Sequence, residues 1–416
     1  MNAGWLFFDK IIRLGIGVIV GVWIARYLGP EQFGILNYAI AYIALFSAIT
    51  TLGLDSILVK SLVDSFQRQN LLLGSVFMIR LIVSILVIVV ANFLMFQLEA
   101  NTTLIFWITF INSFTLLFQS FDVIDQYFQA KVKSKYVVIA RNSAFLLSTA
   151  LKIYFVWFKF PLLAFAWTTL IELIFSAIFL IMAYQFDKEK IALWRYEKSV
   201  ALSLLKESWP LLLSALMIII YMRIDQIMIG SLLGAKEVGI YSAAVKLTEV
   251  WYFIPTSIAA SVFPTIIKLK SINPALYKIR IQQMYVAMTW LALAISIPMT
   301  FLSDGVVNLI YGLEFADAGP VLAISIWSGI FVFQGVARGY WLVAEGLQNY
   351  SMYYIGGACL VNVSLNFWLI PLLGVKGAAL ATAISYFTSA IGFPFIFKKT
   401  RTSSVQLLKS FLWITK

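Results

Sequence analysis

The 416-residue chain is 62% apolar and 16% aromatic but only 12% charged, against about 25% charged residues in a soluble domain, which excludes a soluble globular protein and leaves an integral membrane protein. A formal charge of +12 does not point to nucleic acid, because the basic residues collect in alternate connections between apolar runs. A single cysteine, Cys359, excludes an intramolecular disulfide and reads as a packed thiol; the absence of histidine excludes imidazole metal ligands, a Ser/His/Asp triad and a histidine relay, so any proton coupling must use carboxylates.

The first apolar run, from about Ile11 past Tyr27, has no early small-residue cleavage site and reads as a retained helix. At about 20 apolar residues per ~30 Å crossing, spans are predicted at 11–28, 35–59, 71–97, 103–129, 137–158, 161–184, 209–233, 240–267, 281–309, 320–344, 350–371 and 376–397, about twelve in all. Leu28-Gly29-Pro30-Glu31-Gln32-Phe33-Gly34-Ile35, between the first two, returns as Leu233-Gly234-Ala235-Lys236-Glu237-Val238-Gly239-Ile240 between the seventh and eighth. That recurrence marks two homologous halves, an organisation typical of transporters. In each copy the first glycine suits a helix end in the left-handed region, and Gly34 or Gly239 suits a close approach as the next helix starts. Six crossings return the chain to its starting side, so the halves are parallel repeats: an N-terminal six-helix bundle (1–184), a linker (185–207), a C-terminal six-helix bundle (208–397) around a central cleft, and a basic tail (398–416). The linker is charged with interspersed aromatics, which suits an amphipathic helix at the inner interface.

Lys131, Lys133 and Lys135 share one side with Lys188, Lys190, Arg195, Lys198 and Lys206, with Lys268, Lys270, Lys278 and Arg280, and with Lys398, Lys399, Arg401, Lys409 and Lys416. The opposite connections carry only Lys159, Lys236 and Lys376, with Arg26 at their edge. The positive-inside rule then places both termini in the cytoplasm, with anionic lipid headgroups beside the basic loops.

Charges inside the spans need pairing or a wet cavity, since each costs about 2.5–3.5 kcal/mol at a helix centre facing lipid. They are Arg80, Arg141, Lys152, Arg223, Lys246 and Arg338, with Asp55, Asp122, Asp125, Glu172, Asp225 and Glu249. Helical spacing puts Gln119, Asp122, Gln126 and Gln129 on one face with Asp125 beside them; Arg141, Phe145, Ser148 and Lys152 share another. Ser242, Lys246, Glu249 and Phe253 form a third stripe, and Gln334, Arg338, Trp341 and Glu345 a fourth, with Lys246/Glu249 and Arg338/Glu345 placed to neutralise one another. Arg223 and Asp225, two residues apart, point to different faces and need partners elsewhere. Arg80 falls near the membrane midplane, where a guanidinium fork suits phosphate oxygens. Trp107, Trp251, Trp327 and Trp341 suit interfacial anchoring, with sugar stacking as the alternative.

Ile24-Ala25-Arg26-Tyr27-Leu28-Gly29-Pro30-Glu31-Gln32-Phe33-Gly34, Gly53-Leu54-Asp55-Ser56-Ile57-Leu58-Val59-Lys60, Arg223-Ile224-Asp225-Gln226-Ile227-Met228-Ile229-Gly230 and Asn362-Val363-Ser364-Leu365-Asn366, in this order, resemble the Wzx-type oligosaccharide flippases of the multidrug/oligosaccharidyl-lipid/polysaccharide exporter superfamily. The resemblance implies alternating-access translocation of an undecaprenyl-pyrophosphate-linked oligosaccharide repeat unit to the outer leaflet of the bacterial inner membrane, for O-antigen or another surface polysaccharide, without a cofactor or enzymatic step. Arg26, Lys60, Arg80, Arg141, Lys152, Arg223, Lys246 and Arg338 then become candidate headgroup or cleft contacts. Asp55, Asp122, Asp125, Asp225 and Glu249 become candidate coupling carboxylates, with the proton gradient and polysaccharide polymerase or assembly proteins as partners. Multidrug efflux is the alternative within the superfamily. A glycan polymerase or ligase is disfavoured because the longest external connection, about 310–319, is too short for a catalytic loop.

Overall fold

Backbone N–H and C=O groups in hydrocarbon must be satisfied within the protein, which for long apolar runs dictates helix. The structure, a computed structural model, describes residues 2–98 and 103–414, the side chains of 2–12 and 98 aside, and every regular element among the described residues is helical. Lys416 of the expected basic tail lies outside the described residues. The helices are α1 (Asn2–Thr51), α2 (Leu54–Asp64), α3 (Gln69–Leu98), α4 (Thr103–Ser113), α5 (Thr115–Phe118), α6 (Val123–Ala130), α7 (Ser134–Trp157) and α8 (Leu162–Phe186). They continue as α9 (Lys198–Leu233), α10 (Ala235–Glu249), α11 (Phe253–Ile272), α12 (Pro274–Tyr311), α13 (Ala318–Glu345), α14 (Tyr350–Leu373), α15 (Val375–Phe387), α16 (Phe393–Ile396) and α17 (Arg401–Ser410).

Among the described residues, ten stretches are long and apolar enough to cross a membrane. One of them, Arg13–Asp64, is interrupted at Gly29 and holds two of the expected spans. α7, with 24 residues, is long enough but carries Lys135, Arg141 and Lys152. These two features account for the difference from the twelve spans read in the sequence, and the chain is a multi-pass, all-helical membrane protein.

Two compact units form, one from Met1–Leu28 and Ile35–Ile219, the other from Gly29–Gly34 and Ile220–Lys416. The first is centred on Leu54, Leu58, Val76, Tyr127, Phe128 and Tyr184, the second on Tyr285, Met288, Phe333, Ala337, Tyr354 and Leu407. Since lipid tails are as apolar as these side chains, close packing and polar links must hold the helices together. α17 shows this: Ser403 and Ser410 are buried against α12, at 2.9 Å from the Tyr285 hydroxyl and 2.7 Å from Thr289 Oγ1.

The repeated turn explains why six residues of the first half join the second unit. Gly29 has φ 69° and ψ 171°, Gly234 φ 95° and ψ 175°. The expected left-handed helix end is therefore corrected to an extended, positive-φ conformation, a region essentially confined to glycine. Beyond it the two copies pack on each other: a Cβ on Gly34 would stand 1.7 Å from the Ala235 carbonyl oxygen, and one on Gly239 1.9 Å from that of Pro30.

The amphipathic helix expected across 185–207 does not form as one element. A short 3₁₀ turn, Ile191–Leu193, is followed by extended backbone at Trp194, and helix resumes only at Lys198. Trp194 docks against Phe77 and Tyr184, its indole N–H donating to the Tyr184 hydroxyl at 3.1 Å, while the Arg195 and Glu197 amides donate to the Asn70 carbonyl and Ser75 Oγ. Side chain and backbone thus find better partners in the first bundle than an interfacial helix would supply.

Candidate functional site

In the first unit the helix breaks at Leu52 and Gly53, both with positive φ, between α1 and α2. Breaks at membrane depth persist where neighbours satisfy the freed backbone. Arg80 of α3, 1% exposed, does so: Nη2 donates to the Thr51 carbonyl at 3.2 Å and to Asp55 Oδ1 at 2.8 Å. Gln126 donates to the same Asp55 oxygen at 2.7 Å. One helix further on, Arg141 bridges Asp122 at 2.9 Å and Asp125 at 2.8 Å. The expected stripe on the fourth span is delivered by irregular geometry, because Gln119–Asp122 is a 3₁₀ turn that precedes α6. It still brings Asp122 and Asp125 to Arg141 and Gln126 to Asp55, while Gln119 lies 3.4 Å from Thr50 Oγ1. Three carboxylates, Asp55, Asp122 and Asp125, thus face two guanidiniums in a net acidic cluster. Asp55 is 56% exposed and Arg141 34%, so the cluster is partly open at the surface of the unit, whereas Arg80 is enclosed.

The second unit holds a different arrangement. Asp225 of α9, 3% exposed, accepts hydrogen bonds from Tyr241 at 2.7 Å, Asn366 at 2.6 Å and Thr382. The partners come from α10, α14 and α15, and Asn362 supports Asn366 at 3.1 Å. This carboxylate is therefore held by neutral donors and by no salt bridge among the described residues. It borders a small cavity of about 30 Å³ with Tyr221, Gln226, Glu249, Tyr252 and Tyr386. That volume holds a water and has no room for a sugar. Glu249 makes no hydrogen bond or ion pair among the described residues, so the expected neutralisation by Lys246 does not form; Lys246 instead lies over the Phe33 ring at 4.5 Å. Arg223, half-buried on α9, likewise has no hydrogen bond or ion pair among the described residues.

The remaining expectations divide cleanly. Arg338 and Glu345 do not pair: Arg338, 5% exposed, donates to the Ser389 and Ala390 carbonyls in the π-helical turn Thr388–Gly392 and lies over the Tyr354 ring, while Glu345 binds Lys270 and Tyr277. Lys152 pairs with Glu172 at 3.3 Å, and Lys60 is exposed and paired with Glu207 at 2.8 Å. Arg26 is exposed. Trp341 is buried, which removes it as a sugar platform; Trp107 is exposed, and Trp327 bonds Thr300.

With this geometry in place, the comparisons with known proteins identify the lineage. The sequence profile of the polysaccharide biosynthesis protein family matches residues 1–270, well over half of the chain. The chain belongs to that family. It is 28% identical over 170 residues to the probable flippase AglR of Haloferax volcanii, covering 40% of this chain and 35% of that protein. It is 26% identical over 182 residues to the capsular polysaccharide biosynthesis protein CapF of Staphylococcus aureus, covering 42% and 45%. The chain thus spans less than half the length of either relative. In fold it is similar to the lipid II flippase MurJ in an inward closed conformation, with a TM-score of 0.76, 14% identity and coverage of 98% of this chain and 92% of that one. An inward-facing MATE multidrug transporter of the MOP superfamily gives 0.68 at 16% identity, covering 95% of each chain.

For this family member, sequence reasoning found the charged residues but missed the neutral ones that hold them. Asn366 was legible only as part of a family-like string, although the Asn362/Asn366 spacing of four places both amides on one helix face, and no expectation attached to Tyr241 or Thr382. The cluster at the first unit's loop end was also missed: Lys131 and Lys133 bind Asp187 at 2.8 and 2.5 Å, and the Tyr127 hydroxyl donates to it at 2.7 Å. Burial alone would raise the Asp187 pKa, but these three hydrogen bonds outweigh it and hold the carboxyl down to about 2.

Proposed function

We propose that this protein is a flippase for lipid-linked glycans, carrying undecaprenyl-pyrophosphate-linked oligosaccharide repeat units from the cytoplasmic to the outer leaflet of the bacterial inner membrane for O-antigen or another surface polysaccharide. Membership of the polysaccharide biosynthesis family is the observation that carries this reading. The polar head passes by alternating access while the lipid tail stays in the bilayer. The ionisable groups within the spans of both units, the Asp55/Arg80 and Arg141/Asp122/Asp125 pairs in the first and Asp225 and Arg338 in the second, support it, because intramembrane ionisable groups are retained where a polar pathway needs them. Arg141 and Arg223, both only half-buried, are the proposed contacts for the pyrophosphate, whereas Arg80 is enclosed against the Thr51 carbonyl and Asp55 and Arg338 against two backbone carbonyls; Arg26, Lys60, Lys152 and Lys246 are secondary candidates. Asp225 is the proposed coupling carboxylate: with neutral partners and a water-sized cavity it can take up a proton without breaking an ion pair, and Glu249 shares that cavity. Asp55, Asp122 and Asp125 form the second candidate group. In this reading both termini and the basic loops face the cytoplasm, the side on which the glycan is delivered, and polysaccharide polymerase or assembly proteins consume it on the opposite side.

Deletion of the gene with analysis of lipid-linked glycans tests the reading. Accumulation of complete, cytoplasm-facing repeat units, relieved by the wild-type chain, is expected. Unpolymerised units already outside would indicate a lost polymerase instead, and drug hypersensitivity with normal glycan would indicate efflux.

A further inference from the structure

A larger groove lies in the second unit, lined by none of the residues in the charge clusters above. Between α11 and α12, joined at Asn273, it measures about 520 Å³, within the ~300–1,000 Å³ range of small-ligand sites. Its walls are apolar, including Ile258, Val262, Leu269, Met284, Ala287 and Met288. From Ile258 to Leu269 the α11 wall runs roughly 16 Å at 1.5 Å per residue, about half of a ~30 Å hydrocarbon core. The groove is therefore one leaflet deep.

Its loop end is polar in one way only. Arg280 lines it there, beside Gln283, whose Oε1 accepts from Arg280 Nη1 at 2.9 Å. Arg280 has no acidic partner among the described residues, nor do Lys268 on the last turns of α11 and Lys278 on the first turns of α12. An apolar trench one leaflet deep that ends at a guanidinium without a counter-ion is complementary to an amphiphile with one acyl chain to bury and one negative charge to place.

We propose that the α11/α12 groove is a binding site for an anionic phospholipid, its acyl chain along the Ile258–Leu269 wall and its phosphodiester on Arg280. The single guanidinium matches a singly charged phosphodiester, and the depth matches a chain confined to one leaflet. The site is separate from the proposed glycan path, so it stands or falls independently of the flippase reading. Its consequence is a lipid wedged between two helices of the second unit, which ties their packing to the anionic content of the leaflet.

Native mass spectrometry of the full-length protein from nanodiscs of equal phosphatidylglycerol and phosphatidylethanolamine tests it. Wild type should retain one phosphatidylglycerol through stepwise delipidation. Arg280→Gln should reduce that preference by about fivefold, the factor for one basic residue at an anionic surface, while Arg280→Lys keeps most of it. Ala287→Trp, which fills the exposed groove wall, should abolish retention. Equal retention of both lipids by wild type, or unchanged preference in Arg280→Gln, would show ordinary lipid solvation and overturn the proposal. If Ala287→Trp does not fold, the exposed Arg280→Gln decides alone. Displacement of phosphatidylglycerol by added polyprenyl pyrophosphate at equal concentration would overturn the assigned occupant.

Discussion

Asp55 and Arg80 are unequal partners, one 56% exposed and the other enclosed beside a broken helix. Removing the acid leaves a buried guanidinium without its counter-charge, which costs about 3–5 kcal/mol in fully buried pairs and here about 3 kcal/mol, because Asp55 itself is not buried. Asp55→Ala should therefore lower the thermal midpoint of the purified protein by several degrees; an unchanged midpoint would remove Arg80 from any bracing role. Arg80→Lys should accumulate in the membrane better than Arg80→Ala, since an ammonium retains one of the two bonds to Thr51 and Asp55. Asp187 adds a pH-dependent term. Its folded pKa of about 2 lies below the ordinary value of about 3.9, so its stabilisation, about 2 kcal/mol, is present above pH 4 and is lost as pH falls through 2. The stability advantage of wild type over Asp187→Asn should accordingly be full at pH 6 and shrink steadily between pH 4 and pH 2. A constant difference over that range would contradict the assignment of Lys131, Lys133 and Tyr127 as its partners.

The repeated glycines act at the scale of the element. Gly239→Ala places a methyl 1.9 Å from a backbone oxygen that cannot rotate away, so α10 or the Pro30 turn must shift. An overpacking cost of about 1–3 kcal/mol follows, visible as reduced monodisperse protein on size exclusion. Gly335→Ala, with nothing within 4 Å of the added Cβ, is the tolerated control; equal loss in both would discount the packed turn. The turn was legible in the sequence because its two glycines recur at the same spacing in both halves. Span positions were legible too, since bilayer thickness fixes helix length. What was not legible depends on contacts between elements: that Arg338 would meet the π-turn carbonyls rather than Glu345, that Trp194 would pull the linker onto α3 and α8, and that Asp225 would be held by Tyr241, Asn366 and Thr382. Periodicity assigns a face to a residue. It does not say which helix that face will meet, and breaks such as Leu52–Gly53 alter the face itself.

At the scale of the whole molecule, the loop charges and the flipping reaction make one joint claim about direction. With Cys359 replaced, Lys278→Cys should resist an impermeant maleimide in intact cells, and Lys159→Cys, also exposed, should react; the reverse pattern would invert the topology and the direction of transport. The proposed energy source follows from Asp225, whose neutral partners let it gain and release a proton as access alternates. Asp225→Asn should then lose the acceleration caused by a proton gradient while keeping gradient-free exchange, with a sodium gradient as the control. The most direct measurement reconstitutes purified protein in liposomes carrying a polyprenyl-pyrophosphate-linked oligosaccharide on one leaflet and follows its accessibility to an external glycosidase. The expected result is protein-dependent exposure of the initially protected glycan, faster with the gradient in wild type and not in Asp225→Asn. Glycan that stays protected at the rate of protein-free liposomes, in vesicles that nonetheless transport a lipophilic cation, would contradict the flippase assignment.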